Sequence, residues 1–124
     1  MRCAVLVVLF ATACEAGGGG SPADAAPDVA ITPVVTLSDC PPIVAATIED
    51  SPTMFVPKMT TINKGQSVKF VITAEHFVLP NTLTTTDPAL NVARGETKCF
   101  RFNTVGTYGF LCGVHGFTGT ITVQ

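Results

Sequence analysis

The chain has no tryptophan, a single tyrosine, two histidines and a charged fraction of only 13%. Each scarcity excludes something. With so few aromatic side chains of that kind, a base-stacking platform is hard to build. The formal net charge of -2 comes with no basic run, so nucleic acid is not an expected partner. No apolar run is long enough for a membrane-spanning helix. The carboxylates Glu49 and Asp50 are neighbours in sequence and would point to opposite faces of a strand, which argues against a paired-carboxylate hydrolase. What remains is a 124-residue chain, 47% hydrophobic, with enough apolar material for one core.

The N-terminus has the pattern of an export signal. Arg2 supplies a minimal positive start, and Ala4 to Phe10 (AVLVVLF) is a short apolar run. Ala11-Thr12-Ala13 then leads into Cys14, which resembles the lipobox of bacterial lipoproteins, with Ala11 where leucine is usual. Residues 1–14 are therefore expected to be a signal with Cys14 lipidated; an ordinary signal peptide cut nearby is the alternative. Residues 15–33 are mostly Gly, Ala, Pro and Asp, with almost no large apolar side chain to offset the entropy of ordering, and are expected to form a flexible linker.

From residue 34 to 124 the texture changes to short β-type runs broken by Pro, Gly, Asn and Asp. Eight runs are expected as strands: 34–37, 43–48, 54–62, 67–73, 76–79, 97–103, 107–112 and 118–123. Val68-Lys69-Phe70 and Cys99-Phe100-Arg101-Phe102 alternate with period two, the mark of strands with one face on a core. Turn signals stand at Lys64-Gly65, Arg94-Gly95 and Val105-Gly106, and no helical repeat appears. The pattern predicts an all-β sandwich or barrel, with residues 80–93 as a long connection.

The chemistry concentrates in Tyr108-Gly-Phe-Leu-Cys112-Gly-Val-His115-Gly-Phe117-Thr118-Gly119. A strand delivers a cysteine, a tight loop follows, and a histidine comes three residues later. Thiolate plus imidazole selects copper or zinc. A Cys-x-x-His spacing alone is weak, but His76 lies upstream behind Phe55-Val-Pro57 and Gly65-x-x-Val68-x-Phe70. Taken singly, His76 and His115 have surface readings and Cys112 has one as a buried thiol.

Together with Gly106-Thr-Tyr108-x-Phe110-x-Cys112-x-x-His115 and Gly119-Thr-Ile-Thr-Val123, these segments resemble the plastocyanin and amicyanin branch of the cupredoxins. The resemblance implies a Greek-key β-sandwich of about eight strands. It also implies one copper ion per domain, held by His76, Cys112 and His115 in a type 1 site that carries single electrons between redox protein partners. Such a chain would be a monomer, and it would not be an enzyme. It would be exported to the periplasm or the extracellular face, touching a membrane only through the lipid on Cys14. Copper storage, delivery or sensing, and an interaction module with a vestigial site, are the alternatives.

One departure from the family stands out: no methionine follows Cys112. Phe117 or Thr118 takes the axial position according to the end of the loop from which one counts, and Met54 and Met59 lie far upstream. Of the five cysteines, Cys3 falls in the signal, Cys14 is the lipidation candidate and Cys112 the metal candidate, leaving Cys40 and Cys99 as an even pair in an oxidising compartment. They are expected to form a disulfide, with two independent thiols as the alternative.

Overall fold

Alternating burial along short strands dictates the architecture. In the last strand Gly119, Ile121 and Val123 are buried while Thr118, Thr120 and Thr122 are only partly so. In the strand from Ser67 to Val71, Val68 and Phe70 are buried and Lys69 is not. Such strands need an apolar surface opposite, and a second sheet supplies it.

The computed structural model describes residues 32–124. The expected signal over 1–14, with Cys3 and Cys14, and the expected linker up to residue 31 lie outside the described residues. Nine strands are present among the described residues: β1 Val34–Leu37, β2 Ala46–Asp50, β3 Phe55–Val56, β4 Met59–Ile62, β5 Ser67–Val71, β6 Val78–Pro80, β7 Thr97–Phe102, β8 Gly106–Cys112 and β9 Thr118–Val123. One sheet has the order β1-β7-β5-β2-β3 and the other β4-β9-β8-β6. The pairs β2–β5 and β4–β9 are parallel, and the remaining pairs are antiparallel.

Aromatic rings join the two sheets. Phe110 on β8 meets Phe70 on β5 edge-on, with centroids 5.2 Å apart, and Phe55 on β3 at 4.9 Å. Phe102 on β7 meets Tyr108 on β8 at 5.2 Å. Edge-to-face pairs suit the ring quadrupoles, and each fully buried phenylalanine contributes about 1.5–3 kcal/mol through lost apolar exposure. Gly119 lies directly against the Phe110 ring, and a Cβ there would collide with it. The Tyr108 hydroxyl donates to the Thr104 carbonyl at 2.7 Å, pinning the turn that opens β8.

Several expected runs are modified. Residues 54–62 were expected as one strand and form two, in different sheets, because Pro57 lies between them and has no N–H to continue a ladder. That division turns the expected eight strands into nine. The strand expected at 43–48 is Ala46–Asp50 instead, since the ladder with β5 begins at Ala46 opposite Val68 and Ile43 stays exposed. His76 and Phe77 precede β6 rather than starting it, because the chain turns there, with His76 N–H donating to the Thr73 carbonyl. The connection after Pro80 carries the chain from one sheet to the other. It is also part of the core: Leu90 and Val92 are buried, and Val92 bridges Val78.

Cys40 and Cys99 are joined by a disulfide. Cys99 is opposite Leu37 in the β1–β7 ladder, so the bridge ties the chain just after β1 back to the strand that β1 already pairs with.

Candidate metal centre

Cys112 is the last residue of β8, and Val78 of β6 is opposite it in the ladder. That register brings the turn before β6, with His76 in it, alongside the cysteine; Gly113 N–H donates to the Phe77 carbonyl at 3.1 Å. The loop after Cys112 is closed by its own backbone. Cys112 N–H donates to Phe117 O, and Gly116 N–H donates to Cys112 O, both at 2.8 Å. Gly116 has φ +78°, a left-handed conformation that side chains disfavour, so glycine suits this turn. His115 is one residue before it and reaches the surface.

Three long-range placements thus converge. One ligand-capable atom from each of His76, Cys112 and His115 lies within 4.8 Å of the others. The two imidazoles meet with centroids 5.0 Å apart. Cys112 is a free thiol with 0% exposure, His76 is buried and His115 is exposed. The site has a closed inner side and one edge facing solvent.

Phe117 forms the wall between this cluster and the core. Its ring stacks on His115 (centroids 6.1 Å, interplanar angle 7°) and meets His76 edge-on at 5.3 Å. On its other side it meets Phe55 at 4.8 Å. Of the two axial candidates, Phe117 is the one placed against both imidazoles. Thr118 begins β9 opposite Leu111, on the strand face away from the buried Gly119, Ile121 and Val123. Met54 and Met59 are surface residues, 43% and 73% exposed.

Asp50 also belongs to this cluster, which no motif in the sequence suggested. Asp50 ends β2, and the parallel pairing of β2 with β5 sets Glu49 opposite Val71, which brings Asp50 beside Thr73. Thr73 donates to the Asp50 carboxylate twice, from its N–H to Oδ1 at 2.9 Å and from its hydroxyl to Oδ2 at 2.6 Å. His76 Nδ1 lies 2.5 Å from Oδ2. Burial pushes the Asp50 carboxyl up, but the hydrogen bonds from Thr73 and His76 outweigh it and hold the group below its usual range. No local motif announces this contact, because it depends on which strand pairs with β2.

No protein-family model matches the sequence, and no curated protein sequence matches it. Solved structures do match. An oxidized methionine-to-leucine variant of amicyanin superposes with a TM-score of 0.59 at 14% identity, covering 75% of this chain and 100% of that one. Amicyanin from Paracoccus versutus (Thiobacillus versutus) gives 0.58 at 16%, covering 74% and 98%. A reduced Cu(I) form of a proline-to-glycine amicyanin variant at pH 4 gives 0.60 at 11%, covering 75% and 100%.

The fold is that of the cupredoxins.

At these identities the likeness concerns the backbone, and the donor set must be judged on its own chemistry. A thiolate and two imidazoles on a cupredoxin frame are soft and borderline donors of the kind copper and zinc take. Structural zinc sites almost always gather four strong donors, whereas three are gathered among the described residues, with an aromatic ring packed against both imidazoles. Three donors beside an apolar wall fit copper better.

Proposed function

We propose that this chain is a one-electron carrier whose single copper ion would be held by His76 Nε2 or Nδ1, Cys112 Sγ and a ring nitrogen of His115. The observation that carries the reading is the convergence of these three donors within 4.8 Å around a fully buried free thiol. Bound copper would supply the Cu(I)/Cu(II) couple. The chain's own contribution is rigidity and access. Cys112 and His115 are fixed by a loop closed at both ends by backbone hydrogen bonds, so the donors would move little between redox states. Phe117 keeps water from the inner side, and exposed His115 offers a short path to a redox protein at the surface.

Two competing readings fare worse. Storage or delivery needs ligands that a second protein can reach, and Cys112 has no exposure. The contacts from Asp50 to His76, with Cys112 nearby, bring to mind a Cys-His-acid triad, yet a nucleophile must meet its substrate and this thiol is sealed. A β-sandwich interaction module with a vestigial site remains the reading that experiment must remove.

The Cys40–Cys99 disulfide supports export, since such bonds persist in oxidising compartments. We place the protein in the periplasm or on the extracellular face, as a monomer tethered by lipid on Cys14. Cys14→Ser should release it from the membrane fraction or block its processing, and a wild-type protein found entirely soluble would contradict the anchor. For the electron-carrier reading, copper titration followed by voltammetry is the test. One copper per chain with a reversible one-electron wave is expected. Stoichiometric copper without a reversible wave would favour storage, and no copper uptake would favour the interaction module.

A further inference from the structure

We propose that Phe77, clamped from outside by Arg94, is a positioning residue for the metal centre: its ring, seated on Gly113, fixes the spacing of the two segments that carry His76 and Cys112. This rests on the copper reading above and concerns what holds those segments together before any metal arrives.

Both contacts lie one residue from a candidate ligand. Phe77 follows His76, and Gly113 follows Cys112. Gly113 N–H donates to the Phe77 carbonyl at 3.1 Å, which joins the two segments through their backbones. The Phe77 ring then lies on Gly113, and a Cβ at that position would run into two of its carbons. Gly113 is not one of the glycines with positive φ, so its backbone conformation would accept a side chain. The ring is what demands glycine here. With no side chain in between, the two segments approach as closely as a ring resting on backbone allows.

Arg94 holds the ring in that place. Its guanidinium is 5.0 Å from the Phe77 centroid, within the range of a cation–π contact. The same group donates to the Glu75 carbonyl at 3.0 Å and to the Ala74 carbonyl at 3.4 Å, both in the turn that leads into His76. The next residue, Gly95, has φ +70°, and its N–H donates to the Thr73 carbonyl at 2.9 Å. Arg94 therefore starts from a point already fixed to that turn. Among the described residues it forms no salt bridge, so its charge is spent on a ring and two carbonyls. A planar guanidinium can face a ring and donate at its rim at once, which an ammonium does less well. Ligands whose supports are locked by packing and hydrogen bonds hold their geometry closely, and the layering of Arg94, Phe77 and Gly113 is such a support.

The metal-free protein gives the first readout. In its NMR spectrum the Gly113 Hα resonances should carry a ring-current shift that Phe77→Leu abolishes. Arg94→Gln should reduce that shift and speed hydrogen exchange of the Gly113 amide about 2- to 5-fold, the range an exposed cation–π contact supplies. Arg94→Lys should restore most of both. In the copper-loaded protein, Phe77→Leu and Arg94→Gln should displace the thiolate-to-copper absorption band, again with partial rescue by Arg94→Lys. A Gly113 shift that survives Phe77→Leu, or an Arg94→Gln protein that matches wild type in shift, exchange and band, would overturn the clamp and leave the copper reading standing. A band that stays in place in both variants while only the unfolding midpoint falls would show a purely structural contact and overturn the inference as well. Failure of the wild-type protein to take up copper would overturn the copper reading, and with it any role of the clamp at a metal. The metal-free shifts would then still be present, which tells the two failures apart.

Discussion

Replacing both Cys40 and Cys99 by alanine should cost the metal-free protein about 4 kcal/mol. The bridge links residues separated by 59 positions. Closing a loop of that length removes about 14 cal/mol/K of entropy from the unfolded chain, or about 4 kcal/mol near 25 °C. The native state should lose much less. Leu37 stays opposite Cys99 in the β1–β7 ladder, and Val34, Val35 and Thr36 keep their own partners on β7. The chain before β1 is also tied down, with Asn103 N–H donating to the Pro33 carbonyl at 2.7 Å. The perturbation therefore acts mainly by freeing the unfolded ensemble. Urea unfolding followed by far-ultraviolet circular dichroism tests this, with copper removed so that ligand binding adds nothing to the native side. The extrapolated stability should fall by about 4 kcal/mol and the denaturant slope should rise, since an uncrosslinked chain exposes more surface. A loss below about 1 kcal/mol with an unchanged slope would refute the reasoning.

Three further outcomes follow from individual side chains. Phe117 gives the centre an apolar wall with no donor atom, so Phe117→Met should place a thioether near the copper, favour Cu(II) and lower the reduction potential. Met54→Leu and Met59→Leu should leave the copper spectrum unchanged, and a shifted band in either would show that a remote methionine is a ligand. Burial, helped by the charge of Asp87, raises the Tyr108 phenol above its usual 10.0. The folded state thus keeps a proton that the unfolded chain releases, and this contribution is complete below about pH 10 and lost as pH rises through the folded value. Tyr108→Phe should cost about 1 kcal/mol near neutral pH by leaving the Thr104 carbonyl without its donor. The difference between the two proteins should shrink on going to about pH 11, and a constant difference would contradict the assignment.

Legibility in the sequence followed the range of the interaction. β1 and β9 have the bounds expected from their residues, because alternation and flanking breakers are local signals. The Cys112–Gly116 turn is equally local, and Gly116 stands where a left-handed residue is required. Pro57 was visible but its effect was not: whether a proline merely punctuates a strand or sends the chain to another sheet depends on what lies opposite. Leu90 and Val92 sit in a stretch rich in Thr, Asp and Pro, and only the tertiary fold buries them. Asp50 is the sharpest case. Its neighbour Glu49 suggested a carboxylate pair of no use, whereas the β2–β5 register turns Asp50 toward Thr73 and His76, 23 and 26 residues away. Side-chain chemistry at a strand end is written in the pairing of strands, which alternation alone does not specify.

In the proposed function, Cys112 thiolate, with His76 and His115, binds copper in an electron-transfer site. The absorption spectrum of the purified protein loaded with one equivalent of Cu(II) tests it most directly. An intense visible thiolate-to-copper band is expected, abolished in Cys112→Ser and weakened or reshaped in His76→Ala and His115→Ala. A wild-type protein that binds copper without such a band, or that keeps the band after Cys112→Ser, would contradict a Cys112-ligated copper site.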